Sequence, residues 1–129
     1  MEGREIVGHV RPWSVQVERH VLRWRTLRGG AAAERHLSLL AVALEPRGWR
    51  LVRLYRSQGF PAPVLWVYAS GPDTHVGLGV LALAVPGGAW GYHAAERGWR
   101  GYLAPCGDAI AAADQVDALL KHRMFPGTW

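Results

Sequence analysis

The chain has 129 residues, half of them hydrophobic and 19% charged, the size of one globular domain with a core of its own. Its 16 Gly and 8 Pro fall without a period, and no low-complexity tract occurs, which excludes collagen-like fibre and a wholly disordered chain. Fifteen basic against ten acidic side chains give a net charge of +5, which favours acidic partners.

Residues 1–28 form a first zone in which Trp13, Val17, Val21 and Trp24 alternate with Arg11, Arg19, Arg23, Arg25 and Arg28. Trp13, Val17, Val21 and Trp24 fit helical steps, while Trp13, Val15 and Val17 fit a strand, so the period leaves both open. The zone is a basic amphipathic arm, and Trp13 and Trp24 are expected to be the tryptophans least buried by the domain. Residues 1–56 carry eleven Arg against five Glu, a net of +6, whereas residues 57–129 carry four basic against five acidic groups, a net of −1. All the excess positive charge is therefore in the first half. Arg outnumbers Lys fourteen to one; Arg makes bidentate and stacking contacts, and a GC-rich coding sequence produces the same bias.

Gly29 and Gly30 break the chain, and Leu37, Leu40, Ala41 and Leu44 then recur on one helical face, predicting a helix over Ala31–Glu45. Pro46 and a left-handed Gly48 end it. Short β-rich runs between turn signals follow, and they predict strands at Trp49–Arg56, Val64–Ala69, Val76–Val85, Ala89–Ala94 and Trp99–Leu103. The links Ser70-Gly71-Pro72-Asp73, Pro86-Gly87-Gly88 and Glu96-Arg97-Gly98 are turns, and links this short imply a meander. Val76–Val85 is apolar on both faces, so it belongs at the sheet centre, with Gly77 and Gly79 admitting a close neighbour. It is also half the roughly 20 residues that a membrane-spanning helix needs. A last helix is expected from Asp108 to Arg123, with Ile110, Ala113, Val116, Leu119 and Leu120 near one face and Asp114 and Asp117 outside it, solvated. Asp108 at its start and Lys121, His122 and Arg123 at its end complement the helix dipole.

The fold class is thus α+β: an antiparallel meander of three to five strands flanked by two helices, α-β-β-β(-β-β)-α, behind an N-terminal basic arm. The divisions are a basic arm over 1–28, one domain over 29–123 and a short tail over 124–129. The stretch from Leu44 to Leu120, with Glu45-Pro46-Arg47-Gly48-Trp49, Pro63-Val64-Leu65-Trp66-Val67-Tyr68, Gly88-Ala89-Trp90-Gly91-Tyr92 and Tyr102-Leu103-Ala104-Pro105-Cys106-Gly107-Asp108, resembles small uncharacterised proteins of actinobacteria. The resemblance implies this layout and a GC-rich bacterial origin, and it brings no activity. It also implies that the Cys106 position, in a Leu-Ala-Pro-x-x-Asp loop, is more usually a small residue.

Cys106 is the lone cysteine, so no internal disulfide forms and a reducing, cytoplasmic setting is expected; the N-terminus has no signal-peptide run. It lies two residues before the helix cap Asp108, where a helix N-terminus lowers a thiol pKa, and it is the one candidate nucleophile, with His93 or His75 as a base. The opposing reading is a packed small hydrophobe, and no enzyme activity is expected. The six histidines make no metal-ligand spacing, so no metal or other cofactor is expected. Gly77-Leu78-Gly79 lacks the third glycine and the helix of a nucleotide loop, and Ser70 lacks a nucleophile elbow.

The candidate binding residues are Arg11, Trp13, Arg19, Arg23, Trp24, Arg25 and Arg28 of the arm, with Arg50 and Arg53 of the first strand. Arg and Trp are the residue types that anchor protein interfaces, so a protein partner or a second copy of the chain is the first expectation. Nucleic acid is the alternative, with Arg on phosphates and Trp24 or Trp49 stacked on bases. A double-stranded RNA-binding domain is not expected, since the last helix opens Gly107-Asp108-Ala109-Ile110 without the lysines of that fold. On the first strand Arg50 and Arg56 fall on one face and Arg53 on the other, the pattern of an edge strand whose arginines deter sheet-edge pairing.

Overall fold

A computed structural model describes residues 19–55, 62–70 and 76–124. Arg11, Trp13, Arg56, His75 and most of the C-terminal tail lie outside them. The order is helix α1 (19–28), helix α2 (Gly30–Leu44), strands β1 (Arg50–Leu54), β2 (Val64–Tyr68), β3 (Gly77–Val85), β4 (Ala89–Ala94) and β5 (Tyr102–Pro105), and helix α3 (Ala109–Met124). The strands form one antiparallel sheet in the order β1-β2-β3-β4-β5, the expected meander with the apolar Val76–Val85 run at its centre.

α2 buries Ala33, Leu37, Leu40, Ala41 and Leu44, a helical repeat that leaves one apolar stripe. It stops where expected: Pro46 sits in a single 3-10 turn and Gly48 takes φ +89°, a left-handed conformation that favours glycine. In α3 the buried residues are Ala112, Ala113, Val116 and Leu120. Ile110, expected on that face, is 66% exposed, because the first turn of α3 presents its alanines rather than its isoleucine to the sheet. Asp108 caps the helix as its sequence position implies, its Oδ1 accepting the Ala111 N–H at 3.0 Å.

The two helices pack on one sheet face, against Leu65 and Val67 of β2, Leu78, Val80 and Ala82 of β3, and Tyr92 of β4. The register places these side by side, with Val67 opposite Leu78, Leu65 opposite Val80 and Ala82 opposite Tyr92. On the other face the Trp66 indole lies over Gly77 and Gly79, where any Cβ on Gly77 would come within 2.5 Å of the ring. This is the close neighbour that the two strand glycines admit.

The last strand starts later than the sequence implies. Trp99 belongs to a 3-10 segment, Ala95–Arg100, and β5 begins at Tyr102. The cause is a tight turn: Gly98 has φ +55°, the Gly101 N–H donates to the Gly98 carbonyl, and the Ala94 N–H donates to the Gly101 carbonyl. Trp99 has the composition of a strand, but the turn closes behind it.

Asp114 and Asp117 are not merely solvated. Asp114 pairs with Arg47, and Asp117 accepts hydrogen bonds from Trp49 Nε1 at 2.8 Å and Lys121 Nζ at 2.9 Å. Together they tie α3 to the turn that links α2 to β1.

Candidate functional site

The described part of the arm, residues 19–28, is helix, the reading that Val21 and Trp24 fit; Trp13, Val15 and Val17, which carry the strand reading, lie outside the described residues. One side of α1 is fixed to the sheet: Leu22 and Thr26 are buried, and β2 pairs with β3 only as far as Leu65–Val80, so Ala84 has no strand partner on that side among the described residues. Thr26 takes its place, Oγ1 accepting the Ala84 N–H at 2.9 Å. One residue back, Arg25 donates from Nη1 to the Val85 carbonyl at 3.1 Å and from Nη2 to the Ala89 carbonyl at 3.2 Å, clasping the β3–β4 hairpin. Arg25, a candidate binding residue, is therefore occupied in holding the helix to the domain.

With that side down, a 100° step per residue distributes the others. Trp24 is 58% exposed, flanked by the exposed Val21 and Leu27, and the Arg28 guanidinium lies 4.8 Å from the centre of its indole. That is cation–π geometry one turn apart. The expectation that the domain leaves Trp24 largely uncovered holds.

Arg19 and Arg23 point the other way, toward the 3-10 segment, and with His20 they line a cleft of about 700 Å³ whose far wall is Arg97, Gly98, Trp99 and Arg100. Next to it is a second hollow of about 480 Å³, lined by Leu27 and Thr26 of α1, Val64, Leu81 and Leu83 of the sheet, and Ala95. Arg23, Gly98 and Trp99 border both, so the two form one trough. No carboxylate lines either part, and among the described residues none of Arg19, Arg23, Arg97 and Arg100 forms an ion pair. Glu96, next in sequence to Arg97, is taken by Arg123. Trp99 is held edge-on against the buried His93 ring, 5.9 Å between centroids at 71°, and Tyr102 packs on the same imidazole at 5.4 Å. His93 Nδ1 faces the Gly91 carbonyl at 3.0 Å; a carbonyl only accepts, so Nδ1 carries the proton. Burial lowers the His93 pKa from 6.5, against the opposing pull of that bond, and keeps the ring neutral near pH 7.

Arg50 and Arg53 do not join this surface. They border a separate cleft with Glu45, Gly48, Trp49 and Ser70 at the opposite end of β1. The arm and the first strand are two places on the molecule, because the meander puts β1 at one sheet edge while α1 is tied to the end of β3. Sequence reading missed His20, Arg97, Trp99 and Arg100. Arg97 and Arg100 lie in the half of the chain with net negative charge, and only the turn at Gly98 brings them to α1.

Cys106 is buried in the core cluster with Tyr92 and Ala104, and burial pushes its thiol up to about 12, opposite to the lowering that a helix N-terminus supplies. His93 alternates onto the other sheet face, and among the described residues no histidine ring hydrogen-bonds the thiol. The packed-hydrophobe reading matches this environment. Among the described residues no three His, Cys, Asp or Glu side chains gather as a metal site, and no helix is long and apolar enough to cross a membrane. Compared with known proteins, the chain matches no family model, no curated protein and no solved structure.

Proposed function

We propose that the protein is a non-enzymatic accessory module that binds an acidic segment of a partner protein on the outward face of α1. The observation that carries this reading is Trp24, largely exposed on a rigid helix, with the Arg28 guanidinium stacked on its ring. A large aromatic held in place, with planar N–H donors beside it, is the make-up of an interface anchor. Residues 19–28, Arg-His-Val-Leu-Arg-Trp-Arg-Thr-Leu-Arg, include no acid, and among the described residues Arg28 forms no ion pair, which suits it to a carboxylate of a partner. Two copies meeting through this face would oppose their own arginines, which favours a different, acidic chain over self-association. The lone cysteine and the absence of a membrane-length helix among the described residues support a cytoplasmic setting.

The test is affinity capture on the full-length protein and on Trp24→Ala and Arg28→Gln, after nuclease treatment, at low and moderate salt. A protein retained by the wild type through moderate salt and lost from both variants is the expected result. Retention of nucleic acid that collapses with salt, indifferent to Trp24, would move the function to phosphate binding.

A further inference from the structure

We propose that the trough between α1, the outer sheet face and the Ala95–Arg100 segment is a binding site for a small amphiphilic anion, with an aliphatic or aromatic body and a phosphate, sulfonate or carboxylate head. Its two halves differ in chemistry and share a wall. The apolar half is lined by Val64, Leu81 and Leu83 of the sheet and by Leu27, and its volume of about 480 Å³ is that of a small-molecule pocket. Its hydroxyl, Thr26, accepts the Ala84 N–H, and apart from the bordering Arg23 the rest of its lining carries apolar side chains. An apolar body gains by leaving water for such a lining.

The basic half presents Arg19 and Arg23 from one side and Arg97 and Arg100 from the other, with Trp99 between the two halves. Four arginines line it with no carboxylate among the described lining residues, so an anion is the natural counter-charge. All four side chains are exposed, and none of the described hydrogen bonds uses them to hold the fold, in contrast to Arg25, Arg47 and Arg123. The Trp99 ring is fixed by its edge contact with His93, so the junction between head and body is preformed. Nucleic acid fits this arrangement less well, because it would leave the apolar wall of Val64, Leu81 and Leu83 without an apolar partner.

The experiment is calorimetric titration of the full-length protein with decyl phosphate below its micelle concentration. Decyl sulfate and decanoate distinguish the head group, decyltrimethylammonium supplies the same tail with opposite charge, and inorganic phosphate supplies the head alone. The expected result is saturable one-to-one binding of decyl anions, with the cationic amphiphile and inorganic phosphate weaker by about tenfold or more. The double variant Arg97→Gln/Arg100→Gln, both exposed positions, is expected to lose about tenfold in decyl phosphate affinity at unchanged melting temperature. Leu81→Gln is expected to weaken decyl phosphate without altering whatever weak binding inorganic phosphate has. Trp24→Ala leaves the decyl anion affinity unchanged, so this site stands or falls apart from the partner-binding face. The proposal is overturned if decyltrimethylammonium binds as tightly as decyl phosphate, if inorganic phosphate or a single-stranded oligonucleotide does so, if the arginine double variant binds like the wild type, or if uptake never saturates.

Discussion

Thr26→Val tests the contact that sets the position of α1, and with it both surfaces above. Thr26 is 5% exposed, and its hydroxyl serves an Ala84 N–H that has no strand partner on that side among the described residues. Valine keeps the shape and removes the acceptor, leaving a buried N–H unpaired at a cost of about 1–3 kcal/mol. Replacing the hydroxyl by a methyl returns about 0.8 kcal/mol of apolar burial, so a net loss of about 0.2–2 kcal/mol is expected. Urea unfolding should show a lower midpoint at an unchanged slope, and amide exchange should show Ala84 deprotected. Thr26→Ser, which retains the acceptor, should keep the Ala84 amide protected. A Thr26→Val protein as stable as the wild type, with Ala84 still protected, would refute the docking of α1 through this bond.

Two further outcomes follow from the titrating groups. Burial pulls the Asp117 carboxyl upward, but hydrogen bonds from Lys121 and Trp49 and the charges of Lys121 and Arg47 outweigh it and hold the group below 3.8. A depressed carboxylate pKa adds stability that is complete above 3.8 and lost as pH falls through the folded value, so the stability gap between wild type and Trp49→Phe should narrow in that acid window; a gap constant with pH would contradict it. Cys106, buried and with its thiol pushed up to about 12, should react with a disulfide reagent at neutral pH far more slowly than free glutathione does, and at full rate only in denaturant. Native-state labelling as fast as glutathione would place the thiol in a different environment.

What the sequence made legible was whatever local chemistry dictates. The apolar stripe at Leu37, Leu40, Ala41 and Leu44, the stop at Pro46-Gly48 and the Asp108 cap are each decided within a few residues, and each recurs in the fold at or within a residue of its expected place. Strand order was legible because short links leave a meander few alternatives. What stayed hidden depends on distant partners. Arg25 counts among the candidate contact residues by composition, and its role as a clasp on Val85 and Ala89 arises some 60 residues away along the chain. The Arg97–Arg100 half of the trough was invisible for the same reason, and it sat in a stretch whose net charge directed attention elsewhere. Trp99 was misplaced because an aromatic so close to Tyr102 and Leu103 has strand composition, whereas the close backbone approach at Gly101, 2.7 Å from any Cβ to the Ala94 carbonyl, is a fact of three dimensions.

The order of the sheet bears on how the chain acquires its fold during synthesis. Every strand pairs with its successor, so each hairpin closes a short loop and the sheet grows in step with chain emergence. Closure of the core is different, since α3 must return to pack beside α2, which precedes all five strands. Until α3 has emerged, the core cluster that holds Leu65, Val80 and Tyr92 lacks Ala112, Ala113, Val116 and Leu120. A nascent chain paused after β5 would therefore carry a formed sheet with a wet apolar face, and that intermediate, rather than any unpaired strand, is where chaperone demand and aggregation should concentrate.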